Sequence, residues 1–406
     1  MAIENVNKLF QRSELKDILA KVDAGERITD AECLRLFRSH DLAVIGYMAN
    51  LVRERKNGNV AYYILNRHIN YSNLCVFDCD FCAFYRRRRD PGAYEYSIAE
   101  MVAKAQEALK LGITELHIVG GVHPSFKWEH YIEMLRSLRA LDPDLHLKAF
   151  TAIEILHLAR IGKRSVADAL AALREAGLGS LTGGGAEIFD PEVRKTICHA
   201  KESAEDWLGV HRTWHKMGGL STCTMLIGHV EKDVHCVDHL RRLRELQDET
   251  GGFTAFVTLA FHPENTKLAH LTGPSGYDLL KTLAIVRIYL DNVDHIKAYW
   301  ILMGMKLAQV SLSFGVDDLD GTVVEEKIYH MAGAKTPQQM AQEKFVKAIR
   351  ETGRKPVQRN SLYQIVKRED GRGNGETSGM EELSLSSPFS LHSSPLAGAS
   401  NEGGAA

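Results

Sequence analysis

From about residue 59 onward the chain alternates short apolar runs with longer stretches whose apolar residues recur at helical spacing. The short runs read as strands at Val60–Asn73, Glu115–Gly120, Leu145–Thr151, Ser180–Gly184, Ser221–Gly228, Thr254–Phe261, His295–Leu302 and Gln309–Gly315. The stretches between them carry helix start and stop signals. Ser97-Ile-Ala-Glu100 reads as a capping box, with Ile98, Met101, Val102, Ala105 and Leu109 on one face and Gly112 as the stop. Ser165 and Ser203 open two more helices, closed by Gly177 and by Gly218-Gly219, and helices also fit Trp128–Leu141, Val237–Thr250 and Tyr277–Asn292. Eight such units in roughly 260 residues predict an α/β chain of the (β/α)8 TIM-barrel type. A doubly wound parallel sheet is the competing topology, because strand count alone does not prove closure. Residues 1–58 read as a helical extension, with Leu15, Ile18, Leu19 and Val22 at helical spacing, before a barrel over 59–368. The stretch 371–406 is rich in Ser, Gly, Ala and Pro without periodicity and predicts a disordered tail.

Composition narrows the partners. A net charge of −2 with 25% charged residues gives no basic field for nucleic acid. No apolar stretch is long enough to span a membrane, and the first residues lack a signal core. Four of the seven cysteines, Cys33, Cys198, Cys223 and Cys236, are scattered singly, which is not a secreted disulfide framework. The expected compartment is a reducing cytoplasm.

The other three, Cys75, Cys79 and Cys82, stand together in a CxxxCxxC spacing, with Phe81 just before the last. Thiolates ligate iron–sulfur clusters, and three of them leave one iron of a [4Fe–4S] cube open to another ligand. A zinc site would need a fourth ligand and usually uses two short pairs. The spacing resembles the radical S-adenosylmethionine superfamily, which implies that S-adenosylmethionine takes the open iron. In that superfamily a Gly-Gly after the second strand approaches the methionine amino group, as Gly120 and Gly121 could, since a missing side chain lets a ligand touch backbone. A tight βα turn is the alternative. The run from Thr224 to Glu231 resembles the adenine-contact element GxIxGxxE, with Gly228 in place and Thr224 where the first glycine belongs. Glu187, after a triple glycine, is a candidate for the ribose hydroxyls or a solvated first-turn residue. Arg86 to Arg89 follow the cysteine loop, either as a solvated face or as an anion-attracting rim.

Longer runs resemble one branch of the superfamily, aminofutalosine (aminodeoxyfutalosine) synthase of the futalosine route to menaquinone. They include Asn66–Asn73, Glu115–Pro124, Leu147–Glu154, Gly183–Phe189, Phe261–Thr266, His295–Trp300 and Asp317–Ile328. Val76-Phe-Asp78, Thr182 and Cys198-His-Ala200 depart from the synthase pattern. The resemblance implies a transferase in which a 5′-deoxyadenosyl radical adds to the vinyl carbon of 3-[(1-carboxyvinyl)oxy]benzoate. Rearrangement and loss of the side carboxylate would give aminofutalosine, methionine and bicarbonate. It also implies a reductant protein such as a flavodoxin or ferredoxin. An acceptor with two carboxylates on an aryl ether needs cationic or hydrogen-bonding groups and an apolar wall. Asn73, Arg67, His262, Lys297 and Tyr299 are the candidates, chosen for strand-end position and donor chemistry, and a strand-end His or Lys could equally be a structural partner. The sister enzyme dehypoxanthine futalosine cyclase is the alternative function, and a non-catalytic iron–sulfur protein a further one.

Overall fold

The computed structural model describes Phe10 and residues 12–366, and the tail expected over 371–406 lies outside them. Ten strands form one sheet: β1 (Val60–Ile64), β2 (Asn66–Ile69), β3 (Glu115–Ile118), β4 (His146–Ala149), β5 (Ser180–Leu181), β6 (Leu220–Ile227), β7 (Phe253–Ala260), β8 (His295–Lys297), β9 (Asp318–Gly321) and β10 (Lys355–Gln358). Every pairing is parallel, and the order is β10-β1-β9-β8-β7-β6-β5-β4-β3-β2. The two ends meet because β1 and β2 are halves of one strand, broken at Leu65. The first half lies between β9 and β10, the second pairs with β3, and Arg67 still bridges to Val324 beyond β9. A (β/α)8 barrel results, with β10 filling the seam beside β1.

Side chains alternate across a strand, and the barrel uses this directly. His117 and Lys148 line the interior cavity. Their neighbours Leu116, Ile118, Leu147 and Ala149 are fully buried on the opposite face, under the helices. Each fully buried Leu or Ile there contributes about 1.5–3 kcal/mol. The surrounding helices begin where the capping signals lie. Ser97 and Ser203 form capping boxes with Glu100 and Asp206, Ser165 accepts from the Asp168 N–H, and Thr151 and Ser275 cap two further helices.

Two strand expectations need correction. Gln309–Gly315 lies partly in a helix, Met305–Ser311, and the eighth barrel strand is Asp318–Gly321. Val310, Leu312 and Phe314 mimic period two, but Ala308 and Leu312, four residues apart, are the fully buried pair. The true strand is acidic and tolerable because its charges are paired. Asp318 accepts from Arg359 Nε at 2.6 Å, and Asp320 from Lys297 Nζ at 3.3 Å. The seventh barrel strand, β8, ends at Lys297 rather than Leu302, and Trp300 starts a short helix, its indole N–H donating to the Gly321 carbonyl at 2.8 Å.

Among the described residues, helices at Lys16–Asp23, Asp30–Arg38 and Leu42–Asn57 precede the barrel. They sit against the outer helices Asp233–Thr250 and Gly276–Tyr289. Arg27 bridges Asp248 and Asp291 at 2.6 and 2.7 Å, and the Tyr277 hydroxyl donates to the His40 carbonyl at 3.0 Å. Buried Arg53 donates to the carbonyls of Gly58 and Val316, which precede β1 and β9, so these helices hold the strand-start end. Among the described residues no helix is long and apolar enough to cross a membrane.

Candidate active site

A cavity of about 300 Å³ lies inside the barrel beneath the loop that follows β2. Cys75, Cys79 and Cys82 all line it, and so does Phe81. The loop is tied down on several sides. Cys75 N–H donates to the Arg86 carbonyl at 3.2 Å, Val76 N–H to Val122 at 2.8 Å, and Asp80 N–H to Ile197 at 2.8 Å. Arg86 and Arg87, one half of the basic run, turn back on the loop, donating to the carbonyls of Ala83 and Cys75. Arg88 bonds Glu95 and Ser125, and none of the four arginines lines the cavity.

Burial pushes all three thiols up, and the Lys201 ammonium works against it at each of them. Soft thiols facing one cavity, desolvated and unbridged, suit a cationic iron–sulfur centre, which would hold them as thiolates. Among the described residues no three His, Cys, Asp or Glu are grouped around a single ion. A cluster, with each thiolate at its own corner, does not require that.

Gly120 and Gly121 also line the cavity, and both are required by packing. A Cβ on Gly121 would sit 2.4 Å from the Leu74 carbonyl oxygen, and one on Gly120 2.9 Å from that of Ser72. The strand-two end therefore presses backbone against backbone on the cysteine loop. Below it lies Glu154, buried, accepting from the Tyr71 hydroxyl at 2.7 Å, Thr151 N–H at 2.7 Å and Gly120 N–H at 3.3 Å. Burial raises its pKa, partly offset by these donors. Glu187 lines the cavity in a left-handed backbone conformation, φ +47°, and pairs with Lys201 at 2.5 Å. Burial works against the Lys201 charge, and the Glu187 carboxylate outweighs it, so the ammonium stays protonated above its usual range. That ammonium lies 5.1 Å over the Phe81 ring.

Gly228 is not part of the cavity lining. It holds a turn at φ +90°, packed on Pro274, and its N–H donates to Glu231 at 2.5 Å. Asn73 and Arg67 also lie outside the lining. Asn73 fixes the segment beyond the cysteine loop, accepting from Tyr94 N–H and donating to the Gly92 carbonyl. Arg67 is buried between Glu325 at 2.7 Å and Glu107 at 3.3 Å. His262, Lys297 and Tyr299 do line it. His262 Nε2 lies 2.9 Å from the Leu302 carbonyl, Lys297 meets Asp320, and the Tyr299 ring stacks on His68 at 6.0 Å.

Sequence reasoning missed His68, His117, Lys148, Lys201 and Tyr329, which complete the wall. A histidine or lysine between apolar neighbours in a strand was the available signal for His117 and Lys148, whereas His68 follows Arg67 and gave none. Lys201 gave none, since it stands just after Cys198-His-Ala200, where the sequence suggests only a loop.

A model of the radical SAM superfamily matches residues 69–243, and one of the CofH/MqnC C-terminal region matches 250–370. The chain is 44% identical over 354 residues to an aminodeoxyfutalosine synthase of Thermus thermophilus, covering 86% of this chain and 95% of that one. It is 37% identical over 360 residues to a cyclic dehypoxanthine futalosine synthase of Streptomyces coelicolor, covering 88% and 90%. The FeFe-hydrogenase maturase HydG of Carboxydothermus hydrogenoformans shares the fold, at a TM-score of 0.69 and 16% identity over 89% of this chain and 83% of that one. The chain belongs to the radical SAM superfamily and, within it, to the aminodeoxyfutalosine synthase family.

Proposed function

We propose that this protein is an aminodeoxyfutalosine synthase acting on 3-[(1-carboxyvinyl)oxy]benzoate. Likeness to a synthase across nearly the whole of that relative, cysteine loop and C-terminal region included, carries the reading. The net reaction joins the adenosyl C5′ to the vinyl carbon and moves the ring from oxygen to carbon. It releases methionine, with the side carboxylate leaving as bicarbonate.

Cys75, Cys79 and Cys82 would hold a [4Fe–4S] cluster, and Phe81, Gly120, Gly121 and Glu187 would face S-adenosylmethionine. Bound together, these two groups supply the carbon-centred radical for addition. The chain's own contribution is positioning and exclusion of water. Val257, Leu259, Phe261 and Tyr329 provide an apolar and aromatic wall, while Lys297 and Tyr299 provide donors at the strand ends and His262, its Nε2–H held by the Leu302 carbonyl, offers its other ring nitrogen. A donor lost to a charged acceptor oxygen in such a closed site costs on the order of 1–3 kcal/mol. Seven free cysteines among the described residues fit a reducing compartment, the cytoplasm, and a flavodoxin or ferredoxin as electron source.

The test is anaerobic turnover with S-adenosylmethionine, a reductant and each candidate acceptor in turn. Aminodeoxyfutalosine and methionine should form in equal amounts from the benzoate ether. Consumption of dehypoxanthine futalosine, with the benzoate ether untouched, would instead identify the sister cyclase.

A further inference from the structure

Three nitrogen-bearing side chains on adjacent strands stand side by side in the cavity, and the reading above gives them no task. Strand register aligns His68 with His117 and His117 with Lys148. The two imidazoles stack at 4.5 Å between centroids and 16° between planes. All three residues line the cavity, and His68 and Lys148 are each only 7% exposed. Among the described residues no hydrogen bond or ion pair engages either ring or the Lys148 amine. Glu115 and Asp320 lie near enough to offset part of the Lys148 charge, but neither hydrogen-bonds its amine. Glu115 accepts from Asn66 at 3.1 Å and Ser361 at 2.8 Å, and Asp320 faces Lys297. Arg359, a further neighbouring cation, is paired with Asp318 at 2.6 Å.

A buried ammonium with no hydrogen-bond acceptor of its own is costly even with carboxylates nearby, and a ligand anion would offset that cost. Burial, with the Lys297 charge adding to it, lowers Lys148 to about 8, so the amine is still mostly charged at neutral pH. Burial also keeps both imidazoles neutral, each with one N–H to offer. Depth selects which anion. His117 and Lys148 stand three residues before Gly120 and Thr151, so the row lies about 10 Å below the strand ends that abut the cysteine loop. The vinyl group of the acceptor must face that loop. Its side carboxylate is attached next to the vinyl carbon, whereas its ring carboxylate is at the far end.

We propose that Lys148, assisted by His117, binds the ring carboxylate of the aryl ether acceptor and so fixes which end of that molecule faces the cysteine loop. This rests on the acceptor named above and adds the residues that recognise its retained carboxylate. The test compares equilibrium binding of 3-[(1-carboxyvinyl)oxy]benzoate and of 2-phenoxyacrylate, which lacks only the ring carboxylate, to the cluster-loaded full chain. Wild type should bind the first roughly 10- to 100-fold more tightly. Lys148→Met should bind both alike, at the wild-type affinity for 2-phenoxyacrylate. Lys148→Gln serves as the second neutral variant if circular dichroism shows the first unfolded. A preference retained in the neutral variants, or absent in wild type, overturns the inference. If wild type prefers the carboxylated acceptor, the neutral variants lose that preference, and yet no adenosyl adduct forms, the function proposed above fails and the Lys148 site stands.

Discussion

Seven cysteines with similar chemistry divide by where the fold puts them. Cys75, Cys79 and Cys82 face the cavity, while Cys33, Cys198, Cys223 and Cys236 are buried elsewhere. Cys198 is the informative control, because it lies beside Ile197, whose carbonyl anchors the cysteine loop through Asp80. Replacing Cys75, Cys79 or Cys82 by Ala should abolish the brown chromophore and its iron, whereas Cys198→Ala, Cys223→Ala and Cys236→Ala should retain both. Iron counting and visible spectra after anaerobic reconstitution check this, and iron lost from Cys198→Ala would make a fourth ligand. The triplet was legible because three thiols at short spacing have few other uses. The roles of Gly120 and Gly121 were legible only in part, since the packing that requires glycine comes from a loop about 45 residues earlier. Lys201 was not legible at all, because its partners Glu187 and Phe81 meet it only through the fold.

Elements were legible where periodicity and capping agreed. The Ser97 and Ser203 helices begin where their boxes predict. The strand β9 was not legible, because its acidic residues depend on Lys297 and Arg359 from other elements. The tenth, Lys355-Pro-Val-Gln358, is short and contains a proline, which lacks a ladder donor. One residue joins several elements near the seam. Glu325, at φ +64°, accepts from Arg67 on β2 at 2.7 Å, from Lys104 on the helix Ile98–Leu109 at 2.7 Å, and from the Tyr96 hydroxyl at 3.1 Å. Burial would raise its pKa, but Lys104 and Arg67 hold it at about 2. A carboxylate depressed in the folded state stabilises above its unfolded pKa, and that stability is lost as pH falls from about 4.5 toward 2. Glu325→Gln should therefore lower stability by about 1–2 kcal/mol at pH 7, with the gap narrowing at pH 3. Melting curves at the two pH values check it, and an equal gap at both would contradict the ion-pair account.

At the scale of the molecule, the order of the first seven strand–helix units was readable, and closure was not. Closure depends on a single strand broken at Leu65, whose two halves serve opposite edges of the ladder. The placement of the first three helices at the strand-start end was equally hidden, since it rests on Arg53 and on bridges to residues some 200 positions away. That placement leaves the strand ends to the cysteine loop and the cavity, which is where an acceptor must meet the adenosyl carbon. The central claim is addition rather than hydrogen abstraction. Carbon-labelled adenosine in S-adenosylmethionine, supplied with 3-[(1-carboxyvinyl)oxy]benzoate and a reductant, traces that carbon directly. The label should appear in one nucleoside joined to the benzoate. Its recovery only as free 5′-deoxyadenosine, with no adduct, would contradict the account.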